Sequence, residues 1–218
     1  MQDLIQQERF ELEVLDKLNG KRLLSRLIFC GGTMLRLCFG LDRFSVDLDF
    51  WLAGQIDSKE LFKKLRDCLN SFYKLTDSAD KFNTLLFELR SPDYPRSLKL
   101  EIRKQPKEVP IEQAIAYSKY SNTQVILKAA SLKYMVAAKI EAFLERGEIR
   151  DVFDLEFLLK KGIPLSASSE TSALLLKKMD ALNKNDYKVK LGSLLETAER
   201  KYYITENFKL LRLALQQK

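Results

Sequence analysis

Asp47 and Asp49 stand two residues apart in the run Ser45-Val46-Asp47-Leu48-Asp49-Phe50, where Val46, Leu48 and Phe50 alternate with Ser45 and the two aspartates. Alternation of period two marks a half-buried strand, so both carboxylates project from one face while Leu48 and Phe50 enter the core. Two hard oxygen donors on a rigid support suit Mg²⁺, with Mn²⁺ as a substitute. A third carboxylate from a neighbouring strand would let two ions clamp an in-line phosphoryl displacement. Glu101 is the candidate third ligand. In its segment Leu98, Leu100 and Ile102 alternate with Lys99, Glu101 and Arg103. Taken alone, an Asp-x-Asp pair equally describes the solvent face of any amphipathic strand.

Upstream of the pair lies Gly31-Gly32-Thr33-Met34-Leu35-Arg36, directly after the apolar run Leu27-Ile28-Phe29-Cys30. Two glycines let backbone N–H groups approach phosphate oxygens, and the helix expected from Thr33 offers its positive end. Thr33 adds a hydroxyl and Arg36 a cation, so the segment reads as a triphosphate cradle. The same residues also serve an ordinary strand-to-helix turn.

The chain has 218 residues and no histidine. That excludes Ser-His-Asp and Cys-His nucleophilic centres, His-ligated zinc and His general bases, leaving carboxylates, Lys, Arg, hydroxyls, Cys or bound metal to run any catalysis. Cys30, Cys38 and Cys68 form no C-x-x-C pair, which argues against a disulfide framework or a zinc knuckle. The N-terminal residues lack a basic, then apolar, leader pattern, and no long uncharged apolar stretch occurs, so the expectation is a cytoplasmic protein without a membrane partner. The formal net charge is +7. Residues 176–218 carry ten Lys or Arg against five Asp or Glu, a surface suited to a polyanion such as RNA and equally to a solvated helical face.

Around these residues the pattern predicts a helix over 3–18, a strand or buried helix end at 27–30 entering a tight turn, a short helix over 33–39, a strand over 45–52 and a helix over 59–72 capped by Ser58. Strands follow at about 84–90 and at 98–103. Four of the five prolines lie between 92 and 110, which places a domain boundary at about residue 110. Beyond it the pattern reads as helical throughout, with one helix from Ser131 to Arg146, stopped by Gly147, and another over about 149–160. The expected fold class is α+β, a small mixed sheet with flanking helices over 1–110, followed by an all-α helical bundle over 111–218.

The ordered combination of Gly-Gly-Thr-x-x-Arg, a short helix and Arg43-Phe44-Ser45-x-Asp47-x-Asp49-Phe50 resembles the signature of the DNA polymerase beta nucleotidyltransferase superfamily. Within it the chain is similar to the AbiEii/AbiGii abortive-infection toxins, the nucleotidyltransferase half of type IV toxin–antitoxin pairs. The likeness continues through Lys99-Leu100-Glu101-Ile102, through Lys139 and Arg146, and through Arg150-Asp151-Val152-Phe153-Asp154-Leu155, spanning about residues 20–160. The superfamily's usual Gly-Ser is Gly31-Gly32 here, which shifts a phosphate contact to Thr33 or to the backbone.

The resemblance implies a polymerase-beta-like nucleotidyltransferase domain and a Mg²⁺-dependent, pyrophosphate-releasing transfer of a nucleoside monophosphate from an NTP. Asp47, Asp49 and Glu101 would hold the metals, with Lys139 and Asp151 completing the catalytic set. Gly31, Gly32, Thr33, Arg36, Ser45, Arg146 and Asp154 would bind nucleotide. On this reading the helical half contributes Lys139 and the Arg150–Asp154 segment to the site. Lys139 and Arg146 lie seven apart on one helix and suit the triphosphate or the leaving pyrophosphate, and Asp151 can orient Lys139. Arg150 and Asp154, four apart, can instead form a plain intrahelical ion pair. The implied acceptor is RNA, with the tRNA 3′ end foremost, and the implied partner is a cognate antitoxin. A small hydroxylated acceptor and a non-catalytic nucleotide- or RNA-binding module are the alternatives. Trp51 and the Tyr202-Tyr203-Phe208 cluster could stack on bases but suit core packing better.

Overall fold

The computed structural model describes residues 1–217 apart from Pro106 and Lys107. Pro106, one of the prolines behind the expected boundary, therefore lies outside the described residues. The chain divides into two units, Met1–Gly40 with Phe44–Ser131, and Leu41–Arg43 with Leu132–Lys218.

The first unit is built on a seven-stranded mixed sheet. In chain order its elements are α1 (Gln2–Gly20), β1 (Leu27–Cys30), α2 (Gly31–Phe39), β2 (Asp47–Leu52), α3 (Ser58–Asn70), β3 (Lys74–Asp80), β4 (Thr84–Arg90), β5 (Leu98–Arg103), β6 (Ile111–Ala116) and β7 (Val125–Ala130). The strand order is β3-β4-β5-β2-β1-β7-β6. β2 is antiparallel to β1 and parallel to β5, and β1 is parallel to β7. Helix α1 packs on β5 and β7, α2 on β2 and β6, and α3 on β3 and β4. Phe10, Phe29, Phe50 and Phe87 are fully buried in its core.

Local chemistry explains the elements that support the site. β1 is buried at all four positions, the burial expected of a strand flanked on both sides within a sheet. Helix α2 begins at once after it and stops at Gly40, whose φ of 77° is the left-handed C-terminal conformation that glycine adopts without strain. α3 is capped by Asp57, whose side chain accepts from the Lys59 and Glu60 N–H groups, and not by Ser58, which is its first helical residue.

Residues 111–131 correct the expected organisation. They form β6 and β7, not the start of a helical half, and β7 extends the sheet alongside β1. The break therefore falls after Ser131, not at residue 110. β3 was also not foreseen. Its Lys-Leu-Thr-Asp-Ser-Ala-Asp sequence shows no apolar alternation, and it exists by pairing along β4 at the sheet edge.

The second unit contains α4 (Leu132–Arg146), α5 (Ile149–Lys160), α6 (Ser169–Asp180), a π-helical turn (Asp186–Leu191), α7 (Thr197–Glu206) and α8 (Lys209–Gln216). No strand occurs in it among the described residues. α4 ends where Gly147, at φ 69°, donates its N–H to the Phe143 carbonyl. No helix among the described residues is long and apolar enough to cross a membrane.

Candidate active site

The parallel register of β2 and β5 sets Asp47 beside Lys99 and Asp49 beside Glu101. Register partners point to the same face, so the three carboxylates share one side of the sheet while Leu48, Phe50, Leu100 and Ile102 are buried on the other. Asp47, Asp49 and Glu101 are all half-buried. Lys99 forms an ion pair with Glu101. Its ammonium is held above the ordinary range first by that hydrogen bond, against desolvation, and then by the charges of Glu101, Asp47 and Asp49. Among the described residues no three carboxylate or thiol groups are gathered closely enough to hold a metal ion together. In kind the donors suit a divalent cation, with oxygen ligands on two adjacent strands and an ammonium already among them as a stand-in cation.

Gly31 gives Asp49 the space its carboxylate occupies. It has a φ of 80°, and a Cβ there would stand 2.5 Å from Asp49 Oδ2. Gly32 is buried in the first turn of α2 and Ser45 is half-buried just ahead of β2. Two of the cradle expectations change. Thr33 is fully buried and its hydroxyl donates to the Asp47 main-chain carbonyl at 2.6 Å, so it holds β2 instead of presenting itself to phosphate. Arg36 is turned to Glu8, which also accepts from the Ser118 hydroxyl, and its guanidinium lies 3.9 Å from the Phe44 ring centroid. Its charge is thus committed within the fold.

Helix α1 supplies residues that the sequence reading passed over. The Gln7 amide donates to the carbonyls of Val46 and Ser97, at 3.2 and 3.3 Å, at the entrances to the two strands that carry the carboxylates. Glu11 is fully buried, and neither of its oxygens has a hydrogen-bond partner among the described residues. Burial, then the Glu8 charge, raise its carboxyl well above the ordinary range, Arg36 opposes, and Asp47 adds to the rise. The signal was available: Gln7, Glu8 and Glu11 occupy positions in the stripe set by Leu4, Leu15 and Leu18, where apolar residues belong.

In the helical unit a buried charge network joins four of the expected residues. Lys139 reaches Asp151 at 3.1 Å and Asp154 at 2.6 Å, with side-chain exposure of 8% for the lysine and 0% for each aspartate. Arg146 grips Asp151 through two bonds of 2.8 and 2.7 Å and keeps 49% of its side chain exposed. Asp154 is held from its other side by Arg43, with two bonds of 2.7 Å, so the expected Arg150–Asp154 pair is replaced by a long-range one. Burial pulls the Asp154 carboxyl up, but Arg43 and Lys139 together outweigh it and hold it below the ordinary value.

The sequence between α1 and α8 settles the family. A family model described as the nucleotidyl transferase AbiEii toxin of type IV toxin–antitoxin systems matches residues 14–212. The chain belongs to the AbiEii nucleotidyltransferase toxin family. No curated protein matches it. Two solved structures from Helicobacter pylori are similar to this AbiEii-family chain. One is JHP933, with a TM-score of 0.54 and 23% identity over 93% of this chain and 94% of that one. The other, described as a nucleotidyltransferase, has a TM-score of 0.55 and 22% identity over 94% and 97%. At these identities the likeness is one of fold. It extends over both units of the AbiEii-family chain.

Proposed function

We propose that this chain moves a nucleoside monophosphate from an NTP to a hydroxyl on RNA, foremost the 3′ end of tRNA, with release of pyrophosphate. The Asp49–Glu101 register carries the reading. Together with Asp47 it aligns three carboxylates on one face, beside a glycine whose missing side chain makes room for the Asp49 carboxylate. Asp47, Asp49 and Glu101 would hold Mg²⁺, which when bound neutralises triphosphate charge and favours in-line displacement at the α-phosphorus.

The chain's own groups then divide the work. Asp47 and Asp49 fix the triphosphate side of the site, and Thr33 keeps Asp47 in place through the carbonyl of that residue. Glu101 faces the acceptor and takes up the proton from its hydroxyl. Gly31 and Gly32 let the nucleotide approach the main chain, with Ser45 alongside. Within the helical unit, Lys139 joins Asp151 to Asp154, and Asp151 holds Arg146, the exposed member, as the group suited to a phosphate oxygen. Positioning and electrostatics suffice for this chemistry, so the absence of histidine costs nothing.

The basic stretch 176–218 supports an RNA acceptor, and a tRNA extended at its 3′ end cannot be aminoacylated, which would make the reaction toxic. The protein then acts in the cytoplasm as a toxin held in check by a cognate antitoxin, its second unit forming an all-α bundle that docks RNA. The test is transfer of label from each of four α-labelled NTPs to total tRNA with Mg²⁺, comparing wild type with Asp49→Ala. Label on RNA that disappears in the variant is expected. No label with any NTP overturns the RNA acceptor and directs the search to small hydroxylated molecules.

A further inference from the structure

Three carboxylates brought to one face of two adjacent strands repel one another, and the sheet must offset that repulsion while no divalent cation is bound. Lys99 is in place to do so. It is the register partner of Asp47 and lies two residues from Glu101 on β5, so its side chain emerges on the carboxylate face. It is ion-paired with Glu101 and electrostatically coupled to Asp47 and Asp49. Its side chain is 46% exposed, so the ammonium can leave along its flexible stem without any repacking of the sheet.

We propose that Lys99 is a built-in counter-cation that occupies Glu101 and balances Asp47 and Asp49 until a divalent cation competes it away. The inference rests on the reading of these carboxylates as the metal site. On that reading Lys99 sets the concentration of divalent cation at which the site fills. It keeps its proton throughout and only exchanges one partner for another, so it is a positioning residue.

Trp51 makes the test direct. It is the chain's single tryptophan and stands on β2 two residues from Asp49, so its fluorescence reports Mn²⁺ arriving at that carboxylate. The experiment titrates Mn²⁺ into the wild-type chain, Lys99→Met, Lys99→Arg, Asp49→Ala, Glu101→Gln, and Lys99→Met combined with Glu101→Gln, without nucleotide. Lys99→Met is expected to fill at a Mn²⁺ concentration about three- to five-fold lower than wild type, the size of effect one half-exposed ammonium exerts. Lys99→Arg should titrate close to wild type. With Glu101→Gln in place, substitution of Lys99 should shift the titration much less. Equal or weaker Mn²⁺ binding by Lys99→Met overturns the counter-cation role. A wild-type titration without quenching, or quenching that survives Asp49→Ala, instead overturns the metal site itself, and the inference with it.

Discussion

Thr33 donates its hydroxyl hydrogen to the main-chain carbonyl of Asp47, joining the first turn of α2 to the first residue of the carboxylate strand. The bond spans the two motifs that suggested nucleotide chemistry and shows that one of them supports the other. Thr33→Val keeps the shape and removes the donor, leaving a buried carbonyl without that partner. A loss of about 1–3 kcal/mol in urea unfolding is expected, together with weakened transfer activity. Thr33→Ser retains the donor and should recover most of both. Equal damage from the two variants would mean that the methyl group, not the hydroxyl, matters.

Gly31→Ala confronts two problems at once. A side chain at φ 80° is strained, at a cost of about 1–2 kcal/mol, and the new Cβ would press on Asp49 Oδ2. On the proposed reading of Asp49 as a metal ligand, its displacement by a fraction of an ångström is expected to lower NTP turnover on the order of a hundred-fold, far beyond the stability change. Kinetics alongside thermal unfolding would separate the two effects.

The Arg43–Asp154–Lys139 network is fully buried, so breaking it leaves an uncompensated charge inside. Arg43→Met should destabilise the protein by about 3–5 kcal/mol. The network also sets an acid limit. In the unfolded chain Asp154 takes up a proton near its ordinary value of about 3.9, whereas the folded carboxyl sits lower. Between those values the unfolded state binds more protons, so stability is present above about pH 4 and is lost as pH falls through the folded value. Urea unfolding from neutral to acid pH should show this loss in wild type, with a flatter profile for Asp154→Asn.

Glu11 should behave in the opposite sense. Its folded carboxyl is raised, so from about pH 4 upward the unfolded chain ionises first and wild-type stability declines with rising pH. Glu11→Met removes two unpartnered oxygens and should be more stable than wild type at pH 7 by about 1–3 kcal/mol. The gap should narrow toward pH 4. A gap that stays constant with pH would show that Glu11 remains ionised in the folded state.

Much of the site was legible in the sequence because β2 and β5 each alternate cleanly, and alternation alone puts Asp47, Asp49 and Glu101 on exposed faces. Their adjacency was an assumption that only strand order could supply. The parts that escaped had their signals inverted. β6 carries Glu112, Gln113 and Ala114, residues common in helices, and its Ile111 and Ile115 remain exposed, so no strand pattern appeared. Arg43 lies 111 positions from Asp154, beyond any local rule, and the helical Arg150 nearby offered a more obvious partner. Thr33 and Arg36 were correctly placed on the short helix after β1. What they face depends on Asp47, Glu8 and Phe44, which only the folded chain brings near.

The parallel pairing of Phe29 on β1 with Ala129 on β7 has a consequence for how the protein is made. On the ribosome, β1 emerges early and acquires β2 at once, but its other edge has no partner until β7 has been synthesised. A nascent chain halted near residue 110 would already contain Asp47, Asp49 and Glu101, yet it would display an apolar, unpaired strand edge that invites association with other chains. Translation must therefore pass β7 before the sheet that positions those carboxylates is closed, which ties the onset of transferase activity to a stretch of sequence that contributes no catalytic group.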